Sequence, residues 1–141
     1  MFRYIEPEVA GGFGKDAKLD TTVHPPIVYI LHYEFTGWLG NDILESFPCY
    51  IVTEKLKNEI VNKHLTGVSF DQVKVTRSDE FIELYPDKVL PDFCWMKIDG
   101  KPGKSDFGVS DDLRLVISEK AYESLILFNL SAADLEEFEN A

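Results

Sequence analysis

Cysteine is nearly missing from this chain: there are only two, Cys49 and Cys94. Two cannot build a disulfide framework or a thiolate zinc site. Both sit inside apolar, strand-like stretches and read as reduced core residues. Positive charge is also scarce, with 14 lysines and arginines against 25 aspartates and glutamates and a net charge of -11. A field of that sign repels phosphates and anionic lipid heads, which argues against nucleic-acid and membrane-surface binding, and it attracts cationic partners. Long apolar runs are lacking too. None approaches the ~20 residues of a membrane span, and the start "MFRYIEPEVAGG" has no apolar stretch followed by a small-residue cleavage site. A cytoplasmic protein is expected.

Sites of recognisable chemistry are equally thin. "AGGFGKD" lacks the spacing of a phosphate loop and the helix that should follow it, so it reads as a flexible loop. "DFG" at 106–108 resembles the kinase metal triplet, in a chain too short for a kinase and without an H-R-D-like loop. His24, His32 and His64 have no i, i+4 pairing, and Asp106, Asp111 and Asp112 lack calcium-loop spacing. No G-x-S-x-G is present, and thiols in apolar strands are inert. The expectation is a protein that is not an enzyme and has no metal and no cofactor.

What is present is material for one domain. A chain of 141 residues buries roughly 70% of its unfolded surface, and 13% aromatic content argues against disorder. Phe2 to Ile5 reads as a strand, followed by a long surface loop rich in Gly, Pro and charge that runs to "HPP". "IVYILHYEF" alternates, with Ile27, Tyr29, Leu31, Tyr33 and Phe35 on one face and His32 and Glu34 on the other. Asn41 is placed to cap a short helix through Glu45, ending before Pro48. Val68 and Phe70 alternate in one phase, and Val73 and Val75 in the other, which implies a bulge or turn at Asp71 and Gln72. "TRSDEFIELYPDKVLPD" reads as a loop with one short turn. "FCWMKI", apolar on both faces, reads as a central strand, and "DGKPG" as a turn.

One phrase occurs twice. "FPCYIVTEKLKNEIVNKHL" and "LRLVISEKAYESLILFNL" each run a strand into Thr or Ser, then Glu-Lys, then a helical pattern. Laid without gaps, 51–71 falls on 116–136. The stripe Leu56, Ile60, Val61, Leu65 returns as Ala121, Leu125, Ile126, Leu130. Thr53 and Ser118 suit the N-cap, and Glu54 and Glu119 suit the positive end of a helix. The repeat is either an internal duplication or a grammar that an α+β protein uses twice; in both readings it concerns folding. The copies differ where Lys57, Asn62 and Lys63 of the first become Tyr122, Leu127 and Phe128 of the second. These three make the second helix apolar nearly all round, so it is either sandwiched in the core or offers a partner surface.

"IEPEVAGGFG", "HPP", "GWLGND" before "LESFPCYIVTEKL", then "LTGVSFDQVKV", "LPDFCWMKIDG" and "SDDLRLVISEKAYESL" together resemble a family of small bacterial immunity proteins of polymorphic-toxin systems. The likeness spans most of the chain through short motifs. It implies a non-enzymatic protein encoded beside a toxin, which protects its own cell by binding that toxin. It implies no catalytic residues; Trp38, Gly40, Pro48, Ser110, Asp111 and Asp112 are matched as fold determinants or, for the acids, contacts.

The sequence therefore points to one α+β domain over residues 1–141, a mixed or mainly antiparallel sheet with two repeated strand-helix-strand units packed on it. The leading expectation is an immunity protein that binds a cognate, basic toxin through acidic loops at Asp79, Glu80, Glu83, Asp111 and Asp112. Two alternatives stand beside it. One is a small-ligand binder or enzyme using the Gly-rich loop with His24, His32 and Trp38. The other is an oligomeric scaffold built on Tyr122, Leu127 and Phe128.

Overall fold

The computed structural model describes residues 1–139. In chain order its elements are β1 (Phe2–Glu6), β2 (Gly11–Phe13), β3 (Lys18–Asp20), β4 (Ile27–Ile30), β5 (His32–Phe35), β6 (Ile43–Ser46), β7 (Cys49–Thr53), α1 (Glu54–Asn62), β8 (Val68–Asp71), β9 (Lys74–Arg77), α2 (Asp79–Leu84), β10 (Phe93–Ile98), β11 (Phe107–Val109), β12 (Leu115–Ile117), α3 (Glu119–Leu125) and β13 (Asp134–Phe138). The fold is α+β and mainly antiparallel, and the strands divide into four sheets. Their orders are β11-β12-β1-β13, β6-β7-β10-β8, β2-β5-β9 and β3-β4. The β5-β9 ladder is parallel.

The β6-β7-β10-β8 sheet is the middle layer. Tyr50, Val52, Cys94 and Met96 face a core shared with α1, α3, Ile5, Phe107, Leu115 and Ile117. Their neighbours Cys49, Ile51, Phe93 and Trp95 face a second core with Tyr33, Phe35 and Phe81. A sheet buried on both faces needs continuous apolar strands, which is why "CYIV" and "FCWM" do not alternate. β10 is an interior strand, as its sequence requires.

The two copies of the repeated phrase occupy equivalent places. β7 and β8 flank β10, and β12 and β13 flank β1, every neighbour antiparallel. β6 pairs outside β7 as β11 pairs outside β12. The Thr53 hydroxyl accepts the Leu56 N-H, and the Ser118 hydroxyl accepts the Ala121 N-H, so both residues cap as their type demands. Each cap is also clamped by an aspartate. Thr53 Oγ1 donates to Asp42 Oδ1 at 2.8 Å and Ser118 Oγ to Asp106 Oδ1 at 2.6 Å. The other carboxylate oxygen of each aspartate reaches across to the loop after the opposite helix, Asp42 Oδ2 accepting Asn129 N-H at 2.9 Å and Asp106 Oδ2 accepting Thr66 N-H at 2.8 Å. The exchange runs in both directions, as a two-fold relation between the units requires, and α1 and α3 pack against each other.

Several local expectations are corrected. The long loop after β1 contains β2 and β3. Its glycines serve close approach: a Cβ on Gly11 would lie 1.9 Å from Glu34 O, and one on Gly14 2.2 Å from the His32 ring. The alternating run 27–35 is two strands, for β4 pairs with β3 while β5 pairs with β2 and β9. Ile27 and Tyr29 are thereby exposed, while Leu31, Tyr33 and Phe35 are buried. The segment from Asn41 is strand, not helix. Asn41 is fully buried and spends its amide on Ser131 Oγ and the Ala132 N-H, and Ile43 and Leu44 fill opposite cores. The phase change at Asp71 and Gln72 is the crossing from the middle sheet to the β5-β9 pair. The stretch "TRSDEFIELYPDKVLPD", expected as a loop with one short turn, holds the end of β9 and α2. In the helical stripes Val61 and Ile126 point to solvent.

Candidate functional site

α2 begins where Ser78 Oγ accepts the Phe81 N-H, and it is anchored by the fully buried Phe81, whose ring meets Phe35 and Tyr85. That anchor turns the rest of the segment outward. Asp79, Glu80 and Glu83 are exposed, as are Ile82, Leu84, Tyr85 and Val89. Asp79 and Glu80 lie in the first helical turn, where the free N-H groups favour negative charge, so their placement stabilises the helix as well as the surface potential. Across 79–92 there are five acids, Asp79, Glu80, Glu83, Asp87 and Asp92, and one base, Lys88.

Lys88 keeps its charge but is turned from the acids toward Trp38. Its Nζ donates to the Trp38 carbonyl and lies 5.2 Å from the Tyr85 ring centroid and 5.9 Å from that of Trp38. Trp38 is held in turn, its Nε1 donating to Asn41 O at 3.0 Å. Asp92 O also accepts the Glu54 N-H at 3.0 Å, so the 86–92 segment is tied down at Trp38 and at the start of α1, and an open groove lies on either side of it. One, about 560 Å³, runs between that segment and β9. The other, about 540 Å³, lies toward Trp38, Asp42 and the start of α1. Val89, Pro91 and Asp92 line both.

The other acidic pair is set elsewhere. Asp111 and Asp112 occupy the turn between β11 and β12, in the sheet that packs on the opposite core from α2. Both are exposed, yet Asp112 accepts from Ser110 Oγ and lies 4.0 Å from Arg114 Nη1. Arg114 also pairs with Glu136 at 2.8 Å and covers the Tyr4 ring at 3.7 Å. Asp112 thus belongs to a pin across the sheet, and the structure does not join the five expected contact acids into one surface.

His24, His32 and Trp38 are held in three separate settings. His32 is buried; its Nδ1 accepts the Asp16 N-H at 3.1 Å, and its Nε2 lies 2.7 Å from Thr76 Oγ1. With Gly14 against the ring, it fastens the Gly-rich strand to β5 and leaves no room for a ligand there. His24 is exposed and stacks on Phe47 at 6.1 Å. Tyr122, Leu127 and Phe128 separate as well. α3 ends at Leu125, so the last two lie beyond the helix. Tyr122 is half-buried beneath the Arg3 guanidinium, 3.7 Å from its centroid, Phe128 packs partly on the core, and Leu127 is 72% exposed. Among the described residues no three His, Cys, Asp or Glu gather in a metal-holding group, and no helix is long and apolar enough to cross a membrane. Burial pushes the Cys49 thiol up to about 12 and Cys94 up to about 11, so neither is a nucleophile at neutral pH.

The acids of α2 were visible in the sequence; the grooves were not, because 86–92 forms one with β9 and the other with Trp38, Asp42 and the start of α1, residues far apart along the chain. The two prolines of "YPDKVLPD" are the local signal of a segment that cannot knit into a sheet. Neither family models nor curated protein sequences match the chain.

Proposed function

We propose that the chain is an immunity protein that acts in the cytoplasm by binding a cognate bacterial toxin and covering its active site, without catalysis of its own. The observation that carries this reading is the 79–92 face, where five acids and one lysine surround exposed Ile82, Leu84, Tyr85 and Val89 beside open grooves. Apolar contacts rimmed by charge of one sign suit a stable complex with a partner of the opposite sign. Toxins that act on nucleic acid present basic surfaces, and a net charge of -11 steers such a partner toward the chain. The likeness to toxin-system immunity proteins points the same way.

The test is co-expression with the toxin domain encoded in a neighbouring reading frame. Rescue of growth and co-purification of a complex are expected, and loss of both on neutralising Asp79, Glu80 and Glu83 together. A toxin that neither binds nor is relieved by the intact chain sinks the proposal.

A further inference from the structure

β9 closes one end of its sheet, and its two sides differ. Lys74 N-H donates to Leu31 O at 3.0 Å and Ser78 N-H to Phe35 O at 2.9 Å. Donors of a parallel ladder alternate along the strand, so the N-H and C=O groups of Val75 and Arg77 turn to the other side. No strand among the described residues pairs with them there. Val75 and Arg77 also line the groove of about 560 Å³, together with half-buried Val73 and with Leu90 and Phe93 of the other wall.

The far wall cannot take the place of a strand. Pro86 and Pro91 have no N-H to offer, and the segment forms no ladder with β9. Other sheet ends are guarded differently. β13 carries Asp134, Glu136 and Glu137, β11 is overlaid at Gly108 by Lys101 and Pro102, and β6 is met by Glu8. The β9 edge has a valine-lined groove in place of such a guard.

Resting on the toxin-binding reading, we infer that β9 takes an extended, basic segment of the toxin as an added strand, paired to the peptide groups of Val75 and Arg77. Backbone pairing sets the register, Val73 and Val75 receive alternate apolar side chains, and Asp87 and Asp92 at the rim receive lysine or arginine. Charge selects this occupant over a second copy of the chain: across β9 and 79–92 five acids stand against Arg77, Lys88 and Lys74, the last already paired with Asp16, so the face is net negative and two copies of it repel.

The test is amide exchange by NMR on the intact protein, alone, with an octapeptide alternating lysine and valine, with its backbone N-methylated twin, and with the neighbouring-frame toxin domain. In the free protein Val75 and Arg77 should exchange fast while Lys74 and Thr76 exchange slowly. The octapeptide should slow Val75 and Arg77 about tenfold or more, and the methylated twin should not. Arg77→Pro, which deletes one edge N-H, should weaken the peptide about tenfold, while Arg77→Ala, which keeps it, should not weaken binding. Slow exchange in the free protein, no slowing at saturating peptide, or equal slowing by the twin overturns the inference. A toxin that binds and is neutralised with Val75 and Arg77 still fast removes strand addition and leaves the toxin reading standing. Peptide protection with no toxin binding does the reverse.

Discussion

Asp106→Ala removes a junction that both halves of the molecule share. The carboxylate accepts Ser118 Oγ at 2.6 Å, Thr66 N-H at 2.8 Å and Thr66 Oγ1 at 3.1 Å. Burial pushes the carboxyl up, but the Ser118 and Thr66 bonds outweigh it and hold Asp106 below the usual carboxylate range. Hydrogen bonds to a charged group contribute about 1.5–3 kcal/mol each, though exposed Thr66 regains water when its partner is lost. Loosening the Ser118 cap adds up to about 1 kcal/mol. A net cost of about 2–3 kcal/mol follows. Because the folded pKa is the lower one, this stability is fully present above about pH 4 and is lost as pH falls through the folded value. Urea unfolding should show a midpoint lower by about 1 M or more at pH 7, with the gap narrowing in acid. A difference below about 0.5 kcal/mol at pH 7 refutes the reasoning, as does a gap that does not narrow in acid. Asp42→Ala, which loses two side-chain bonds instead of three, should cost less.

Two further outcomes test the packing. Gly14→Ala drives a methyl into the buried His32 ring and should cost about 1–3 kcal/mol, read by thermal unfolding; wild-type stability would show that the Gly-rich strand does not lie where described. Cys49 and Cys94, buried and pushed up to about 12 and about 11, should resist a thiol reagent at pH 8 until the chain is unfolded; fast labelling of the folded protein would contradict their core placement.

What was legible in the sequence was what neighbours along the chain decide. Thr53 and Ser118 cap because their hydroxyls meet N-H groups three residues on, and the doubled phrase marks two units of equal topology. "FCWMKI" disclosed a strand buried on both faces, and the valine phase change disclosed an interruption at Asp71 and Gln72, though not that the chain crosses between sheets there. What distant partners decide was not legible. Asn41 has the composition of a cap, but its amide is taken by Ser131 and Ala132, some ninety residues on. Gly11 and Gly14 of "AGGFG" answer to the backbone and ring of β5. Leu127 looked like one face of a helix, yet the helix stops at Leu125. The acids of α2 could be read as exposed, whereas Asp112's tie to Arg114 depends on a sheet that brings residues 6, 112, 114 and 136 together.

The central claim, that the 79–92 face receives a basic toxin, is tested most directly by the association rate with the neighbouring-frame toxin domain across salt concentrations. The intact chain is compared with a triple variant, Asp79→Asn, Glu80→Gln and Glu83→Gln, and with a double variant, Asp111→Asn and Asp112→Asn. The triple variant should associate about tenfold more slowly at low salt, with a flatter salt dependence, while the double variant follows the intact chain. Equal rates for all three, or slowing confined to the double variant, would contradict the claim.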